Sequence, residues 1–97
     1  MILETAVLHI PKESTKAFEQ DFKKASQYIS SIDGYISHSL HKCVENERQY
    51  LLQVNWRTLE DHTVGFRESQ VYQEWKRLLH HYYDPFPVVE HYEKLDL

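Results

Sequence analysis

The chain has 97 residues, 41% of them hydrophobic and 27% charged, which is typical of one small globular domain and not of a disordered or fibrous protein. The formal net charge is -4, and acidic and basic residues are interspersed. Nucleic acid is not an expected partner, because phosphate binding needs a basic stripe. No apolar run approaches the roughly 20 residues that a membrane span needs, so a membrane is not an expected partner either.

Cysteine usage and the start of the chain indicate the cellular compartment. Cys43 is the only cysteine, which excludes an internal disulfide framework and fits a reducing environment. No charged and then apolar leader precedes Ile2. We therefore expect a cytoplasmic protein.

The first third of the chain predicts a strand followed by a helix. Residues 1–10 are rich in β-forming residues and end at Pro11. Alternation along the strand places one set on a single face: Ala6, Leu8 and Ile10. Apolar residues then recur every three or four positions as far as Ile32, as on one side of an amphipathic helix: Phe18, Phe22, Ala25, Ile29 and Ile32. Gly34 is suited to the turn that ends this helix.

The remaining chain predicts a hairpin, a broken helix and a last strand. Residues 35–43 and 50–57 are β-prone runs joined by a short charged connection. Thr58 and Asp61 fit a capping box, after which Gly65 and Ser69 are expected to split a helix into two pieces with a bend. Residues 84–92 begin with prolines and then form a short β-run, as in an edge strand.

The order of these elements predicts the fold class. The pattern β-α-β-β-α-β within residues 1–97 is that of one α+β, ferredoxin-like domain, with a four-stranded antiparallel sheet and both helices on one face. The strands carry apolar or aromatic residues on both faces. We therefore expect a second copy of the chain to cover the other face, as in a homodimer.

Several of these features together resemble a known family. They are a tryptophan at the end of the third strand, a helix broken at "DHTVGFRES", the motif "YQEW" and a terminal "PVVEHY". With the element order, they resemble the antibiotic biosynthesis monooxygenase (ABM) family of dimeric α+β barrel proteins over nearly the whole chain. The resemblance implies a homodimer with a pocket between each sheet and its helices. Several members oxidise phenols, quinols or polyketide aromatics with O₂ and need no cofactor, neither metal nor flavin.

The resemblance also assigns candidate positions. Trp56 matches the family tryptophan, and His62 falls where a polyketide-oxidising branch is similar in placing a pocket tyrosine. A haem-degrading branch has an asparagine, a tryptophan and a haem-ligating histidine, for which the approximate counterparts here are Thr5, Gly65 and Trp75. Haem degradation is therefore disfavoured.

Two of these residues are the catalytic candidates. A histidine titrates near neutrality, so His62 could accept a phenolic proton or hold a hydroxyl group, although a capping or surface role is the alternative. Trp56 could form an aromatic wall or simply belong to the core. Asn55 lies on the opposite strand face from Trp56 and could bind substrate only if that face were the pocket.

Four more residues are candidates for substrate binding. Phe66, Trp75 and His91 are lesser pocket candidates. The alternative for Phe66 is packing in the core, and Trp75 belongs to the apolar stripe of the second helical piece. The alternative for His91 is a hydrogen-bonded strand or interface histidine. Arg67 could pair with a carboxylate of a second copy, which we favour, or reach an anionic substrate.

Metal and nucleophilic chemistry are not expected. Among seven histidines, His38 and His41 face opposite sides of a strand, and His80 and His81 diverge on a helix. No H-x-x-x-H or H-E-x-x-H motif occurs, so no metal ligands are assigned. Nothing in the sequence supplies an oriented base beside Cys43.

The functional hypothesis is a cofactor-independent monooxygenase that acts with O₂ on a small aromatic phenol or quinol, or on a polyketide-like substrate. The alternative is a dimeric barrel protein, stress-related or sensory, that binds an aromatic ligand without turnover. A third possibility is a structural protein whose pocket is filled by its own side chains, which a cavity too small for one aromatic ring would favour.

Overall fold

The order of strands and helices is the one that the sequence predicts. A computed structural model describes residues 1–97. The elements are β1 (Ile2–His9), α1 (Thr15–Ile29), β2 (Tyr35–Lys42), β3 (Gln49–Trp56), α2 (Gln70–Leu79) and β4 (Val89–Glu93). All strand pairs are antiparallel, in the sheet order β2-β3-β1-β4. The ferredoxin-like α+β fold is thus confirmed, with β4 at an edge. No helix in the protein combines the length and apolar character needed to cross a membrane.

The core lies between the two helices and one face of the sheet. Register pairs Ile2 of β1 with Trp56 of β3, so that alternate residues of the two strands point at the helices. In β3 the burial alternates strictly, and the inward set is fully buried: Tyr50, Leu52, Val54 and Trp56. Facing them are the apolar residues of the α1 stripe, which the sequence identifies: Phe18, Phe22, Ala25 and Ile29.

Neither helix covers the other face of the sheet. Its residues are half-buried or exposed, and they include Leu3, Leu51 and Val7, of which Val7 is 42% exposed. Such a face is available for a partner. Its coverage by a second copy stays a prediction.

The broken helix begins as the sequence predicts. The backbone N–H of Thr58 donates to Asp61 Oδ2 at 3.1 Å, and the N–H of Asp61 donates to Thr58 Oγ1 at 3.2 Å, which is a capping box. The segment that follows, Asp61–Phe66, is π-helical, with a wider turn than an α-helix. Ser69 then caps α2 by accepting the N–H of Tyr72 at 3.2 Å.

Gly65 does not break the helix, contrary to the prediction. It lies inside the π-helical segment, and Gly34 is the one residue with a positive φ, at 92°. A Cβ added at Gly65 would meet the Glu60 carbonyl at 3.8 Å and Ile32 Cγ2 at 4.0 Å, which are ordinary contacts. The helix is interrupted where Ser69 starts a new one, and Gly65 is compatible with a side chain.

We therefore expect Gly65→Ala to stabilise the protein, because alanine restricts the unfolded chain and fits the folded one. The free energy of unfolding should rise by about 0.5–1 kcal/mol in urea denaturation. In contrast, Ser69→Ala removes the α2 cap and should lower the free energy of unfolding by about 1 kcal/mol. A destabilising Gly65→Ala would mean that the π-helical segment needs glycine.

Candidate active site

A cavity of about 300 Å³ lies between the sheet and the broken helix. Its walls come from β1, β3, the π-helical segment, α2, and residues 80–89, which connect α2 to β4 and begin that strand. The polar lining residues are Glu4, His62, Arg67, Tyr72, His80 and Tyr83. The apolar lining residues are Ala6, Leu8, Leu52, Phe66, Trp75, Phe86, Pro87 and Val89. Because ligand pockets begin at about 300 Å³, the volume argues against a pocket filled by its own side chains.

A buried carboxyl group, that of Glu4, faces this cavity. The residue is only 5% exposed, and its Oε1 accepts a hydrogen bond from Trp56 Nε1 at 2.9 Å. Burial raises the pKa of Glu4, while the Trp56 hydrogen bond and the charge of Arg67 act in the opposite direction. A carboxyl with a raised pKa, beside a cavity, is suited to taking a proton from a ligand and returning it.

His62 lies against Glu4 and joins β1 to the edge strand β4. It is 3% exposed, and its ring stacks on Trp56 with centroids 5.2 Å apart and planes 16° apart. Its Nε2 lies 3.4 Å from Glu4 Oε1, and its Nδ1 is hydrogen-bonded to His91 Nε2 at 2.7 Å. A proton on His62 Nε2 and another on His91 Nε2 satisfy both contacts, with His91 as the donor to His62.

His62 does not titrate near neutrality, contrary to the expectation from sequence. Burial is the largest cause that lowers the pKa of His62 to about 3, followed by repulsion from the charge of Arg67 and from His91 when His91 is protonated. The imidazole is therefore neutral at pH 7, and its contact with Glu4 is not an ion pair. Neutral His62 is suited to orienting hydrogen bonds rather than to carrying a proton.

The structure brings four of the seven predicted site residues to the cavity: His62, Phe66, Arg67 and Trp75. Two others support the site from behind, since Trp56 is fully buried under His62 and His91 contacts the other edge of that ring. Asn55 is outside the site. It lies on the uncovered face of the sheet, where its Nδ2 donates to Ser37 Oγ at 3.0 Å.

The sequence interpretation missed Glu4 and three other polar residues of the lining: Tyr72, His80 and Tyr83. A signal existed for Glu4, because strand alternation places it on the same face as Ala6 and Leu8. A lone carboxylate on an apolar strand face is a reason to look for a site. No comparable signal exists for Tyr83, which follows α2 in an irregular segment, although burial strongly raises its pKa.

Potential metal ligands do not gather at one point. No three side chains of His, Cys, Asp or Glu converge closely enough to hold a metal ion. Glu4, His62 and His91 instead make contacts with one another or with Trp56.

The sequence matches the family described as antibiotic biosynthesis monooxygenase over residues 1–78. The uncharacterized protein YczJ of Bacillus subtilis (strain 168) is 55% identical over 93 residues, which are 96% of this chain and 98% of YczJ. A protein from Bordetella bronchiseptica, provisionally assigned as an antibiotic biosynthesis monooxygenase, has a crystal structure that superposes with a TM-score of 0.91. It is 30% identical, with 97% of this chain and 96% of that one covered.

A more distant structure shares the fold. SnoaB, a cofactor-independent oxygenase from Streptomyces nogalater, superposes with a TM-score of 0.77 over 99% of this chain and 94% of SnoaB. Its 11% identity supports a common fold and nothing finer. On the match over residues 1–78 and the 30% identical structure, the chain belongs to the antibiotic biosynthesis monooxygenase family.

Proposed function

We propose that this protein is a cofactor-independent monooxygenase that oxidises a small aromatic phenol or quinol with O₂. The observation that carries the proposal is Glu4, a buried carboxyl with a raised pKa that faces an aromatic-lined cavity. Family membership supports the reaction class. The name of SnoaB as a cofactor-independent oxygenase is consistent with the same chemistry on this fold.

In the proposed reaction of a phenol, Glu4 takes the hydroxyl proton and leaves a phenolate. The phenolate gives one electron to O₂, and the resulting superoxide and substrate radical combine at a ring carbon that carries hydrogen. Glu4 returns its proton to the peroxide, which then loses water and leaves a second carbonyl group. One oxygen atom enters the quinone and the other enters water, so the substrate supplies all the electrons.

Neighbouring residues would hold Glu4 in place and favour an anionic ligand. The Trp56 N–H fixes Glu4 Oε1, so Trp56 acts as a positioning residue rather than as a wall of the cavity. His62 presents its neutral ring to the same oxygen and is itself oriented by His91. Arg67 also lines the cavity, and its positive charge favours the binding of an anionic ligand there.

We also infer that a second copy of the chain covers the free face of the sheet. The half-buried apolar residues on that face, such as Leu3 and Leu51, support a dimer. Light scattering should then give about twice the 11.7 kDa mass of the chain, and a monomeric mass would contradict the inference. The single free Cys43 fits a cytoplasmic location.

The test is oxygen consumption by the purified, chelator-treated protein with a panel of one- to four-ring phenols and quinols. Substrate loss and O₂ uptake are followed aerobically and anaerobically, above the autoxidation control. We expect protein-dependent turnover that requires O₂. Saturable binding without turnover across the panel would instead favour the non-catalytic aromatic-binding protein, and no binding at all would contradict both.

A further inference from the structure

Arg67 is the arginine whose side chain forms neither an ion pair nor a hydrogen bond within the chain. Arg57 forms ion pairs with two aspartates at 3.3 Å, and Arg77 pairs with Glu74 at 2.6 Å. Arg48 donates to a backbone carbonyl at 3.3 Å. The guanidinium of Arg67 has neither kind of partner, although it lines the cavity and is exposed at its rim.

The charge of Arg67 acts on the interior of the site. It lowers the pKa values of His62 and His91 and opposes the rise in the pKa of Glu4. Glu4 is the only carboxyl in the lining, and its one contact with a basic side chain is with His62, at 3.4 Å, and not with Arg67. The rim of the cavity therefore holds a positive charge that is available to an anionic ligand.

The size and lining of the cavity restrict the rest of the ligand. Five aromatic side chains surround the space: Phe66, Tyr72, Trp75, Tyr83 and Phe86. An apolar cavity of about 150 Å³ is known to hold one benzene molecule. A volume of about 300 Å³ therefore has room for one substituted ring or two fused rings.

We propose that the substrate is a one- or two-ring hydroxylated aromatic carboxylate, whose carboxylate pairs with Arg67 at the rim while its hydroxyl reaches Glu4. A planar guanidinium binds a carboxylate through two parallel hydrogen bonds, which fixes the orientation of the ring as well as its affinity. Glu4, at 5% exposure, marks the inner end of the site. This inference rests on the proposed function and adds the substrate class.

The test compares two probes that differ in the carboxylate alone, 6-hydroxy-2-naphthoate and 2-naphthol. Their affinities are measured anaerobically by titration calorimetry with the wild-type protein, Arg67→Gln and the control Arg77→Gln. Arg77 is an exposed arginine outside the cavity. The wild type and the control should bind the carboxylate about 10- to 100-fold more tightly than the naphthol. Arg67→Gln should lose this preference and keep its affinity for 2-naphthol within about twofold.

Three results would overturn the inference. They are equal affinities of the wild type for both probes, a preference that survives Arg67→Gln, and a fall in molar mass of Arg67→Gln by light scattering. The last result would show that Arg67 pairs with a second copy of the chain. Since binding is measured without turnover, the outcome is independent of the oxygen-uptake test. If the protein prefers the carboxylate probe but oxidises no substrate, the monooxygenase function is rejected and the carboxylate site is kept. If it oxidises neutral phenols but shows no preference for the carboxylate probe, the carboxylate site is rejected and the monooxygenase function is kept.

Discussion

Replacing Glu4 with glutamine should reduce the turnover of an accepted phenol by about 10²- to 10⁴-fold, because the variant has no group to take the hydroxyl proton. Binding should change little. Glutamine has the shape of glutamate, and its amide oxygen can still accept the hydrogen bond from Trp56 Nε1. The measurements are kcat from oxygen uptake and the dissociation constant from anaerobic calorimetry.

Loss of folding would not explain such a result. Burial raises the pKa of Glu4, so the stability that this group contributes is present below its unfolded pKa and is lost as pH rises through its folded pKa. At pH 7 an uncharged glutamine avoids burying the carboxylate, and the variant should be at least as stable as the wild type. Glu13→Gln is the matched control, because Glu13 is exposed and lies outside the cavity.

An unchanged kcat in Glu4→Gln would exclude Glu4 as the base. Equal losses of kcat in Glu4→Gln and Glu13→Gln would show an effect that is not specific to the cavity. A loss of ligand binding with kcat maintained would assign Glu4 to substrate recognition. Only a selective fall in kcat agrees with the proposed proton transfer.

The fold could be predicted because its determinants are local in the sequence. Alternation in β1 and the three- and four-residue steps of α1 decide which residues are buried, and the capping box at Thr58 decides where the broken helix begins. Gly65 was a misleading signal. A glycine lowers the stability of a helix without having to end it, and the backbone at Gly65 is helical. The role of Ser69 as the cap of α2 could be predicted, because it depends only on a hydrogen bond with Tyr72, three residues away.

The site could be predicted only in part. Phe66, Trp75 and His62 are pocket candidates in the sequence and line the cavity in the structure. Asn55 is a candidate that the structure places outside the site, and strand alternation alone indicates this, because it puts Asn55 and Trp56 on opposite faces. Electrostatics could not be predicted, because the pKa of His62 depends on burial and on charges that are distant in the sequence. A neutral His62 moves the proposed proton transfer to the carboxyl group beside it.

That neutral state of His62 has a measurable consequence for stability in acid. The pKa of His62 in the folded protein is about 3, below its ordinary value of 6.5. As pH falls below 6.5, His62 binds a proton in the unfolded chain but not in the folded protein. The free energy of unfolding therefore decreases until pH approaches 3. Between pH 7 and pH 4 this single group should cost about 3 kcal/mol in the free energy of unfolding.

The measurement is urea denaturation at pH 7, 6, 5 and 4 for the wild type, His62→Gln and the control His81→Gln. The side chain of His81 is exposed. His62→Gln should be less sensitive to acid than the wild type by about 3 kcal/mol over this range, and the control should follow the wild type. Glu4 acts in the opposite direction, since its raised pKa favours the folded protein as pH falls, but it is present in all three proteins.

Parallel stability curves for the wild type and His62→Gln would mean that folded His62 accepts a proton as readily as the unfolded chain does. The 3.4 Å contact with Glu4 would then become an ion pair on protonation. An adjacent imidazolium would lower the pKa of Glu4 and weaken it as a base. The acid stability of His62→Gln thus tests the same arrangement as the turnover of Glu4→Gln, without requiring that the substrate be known.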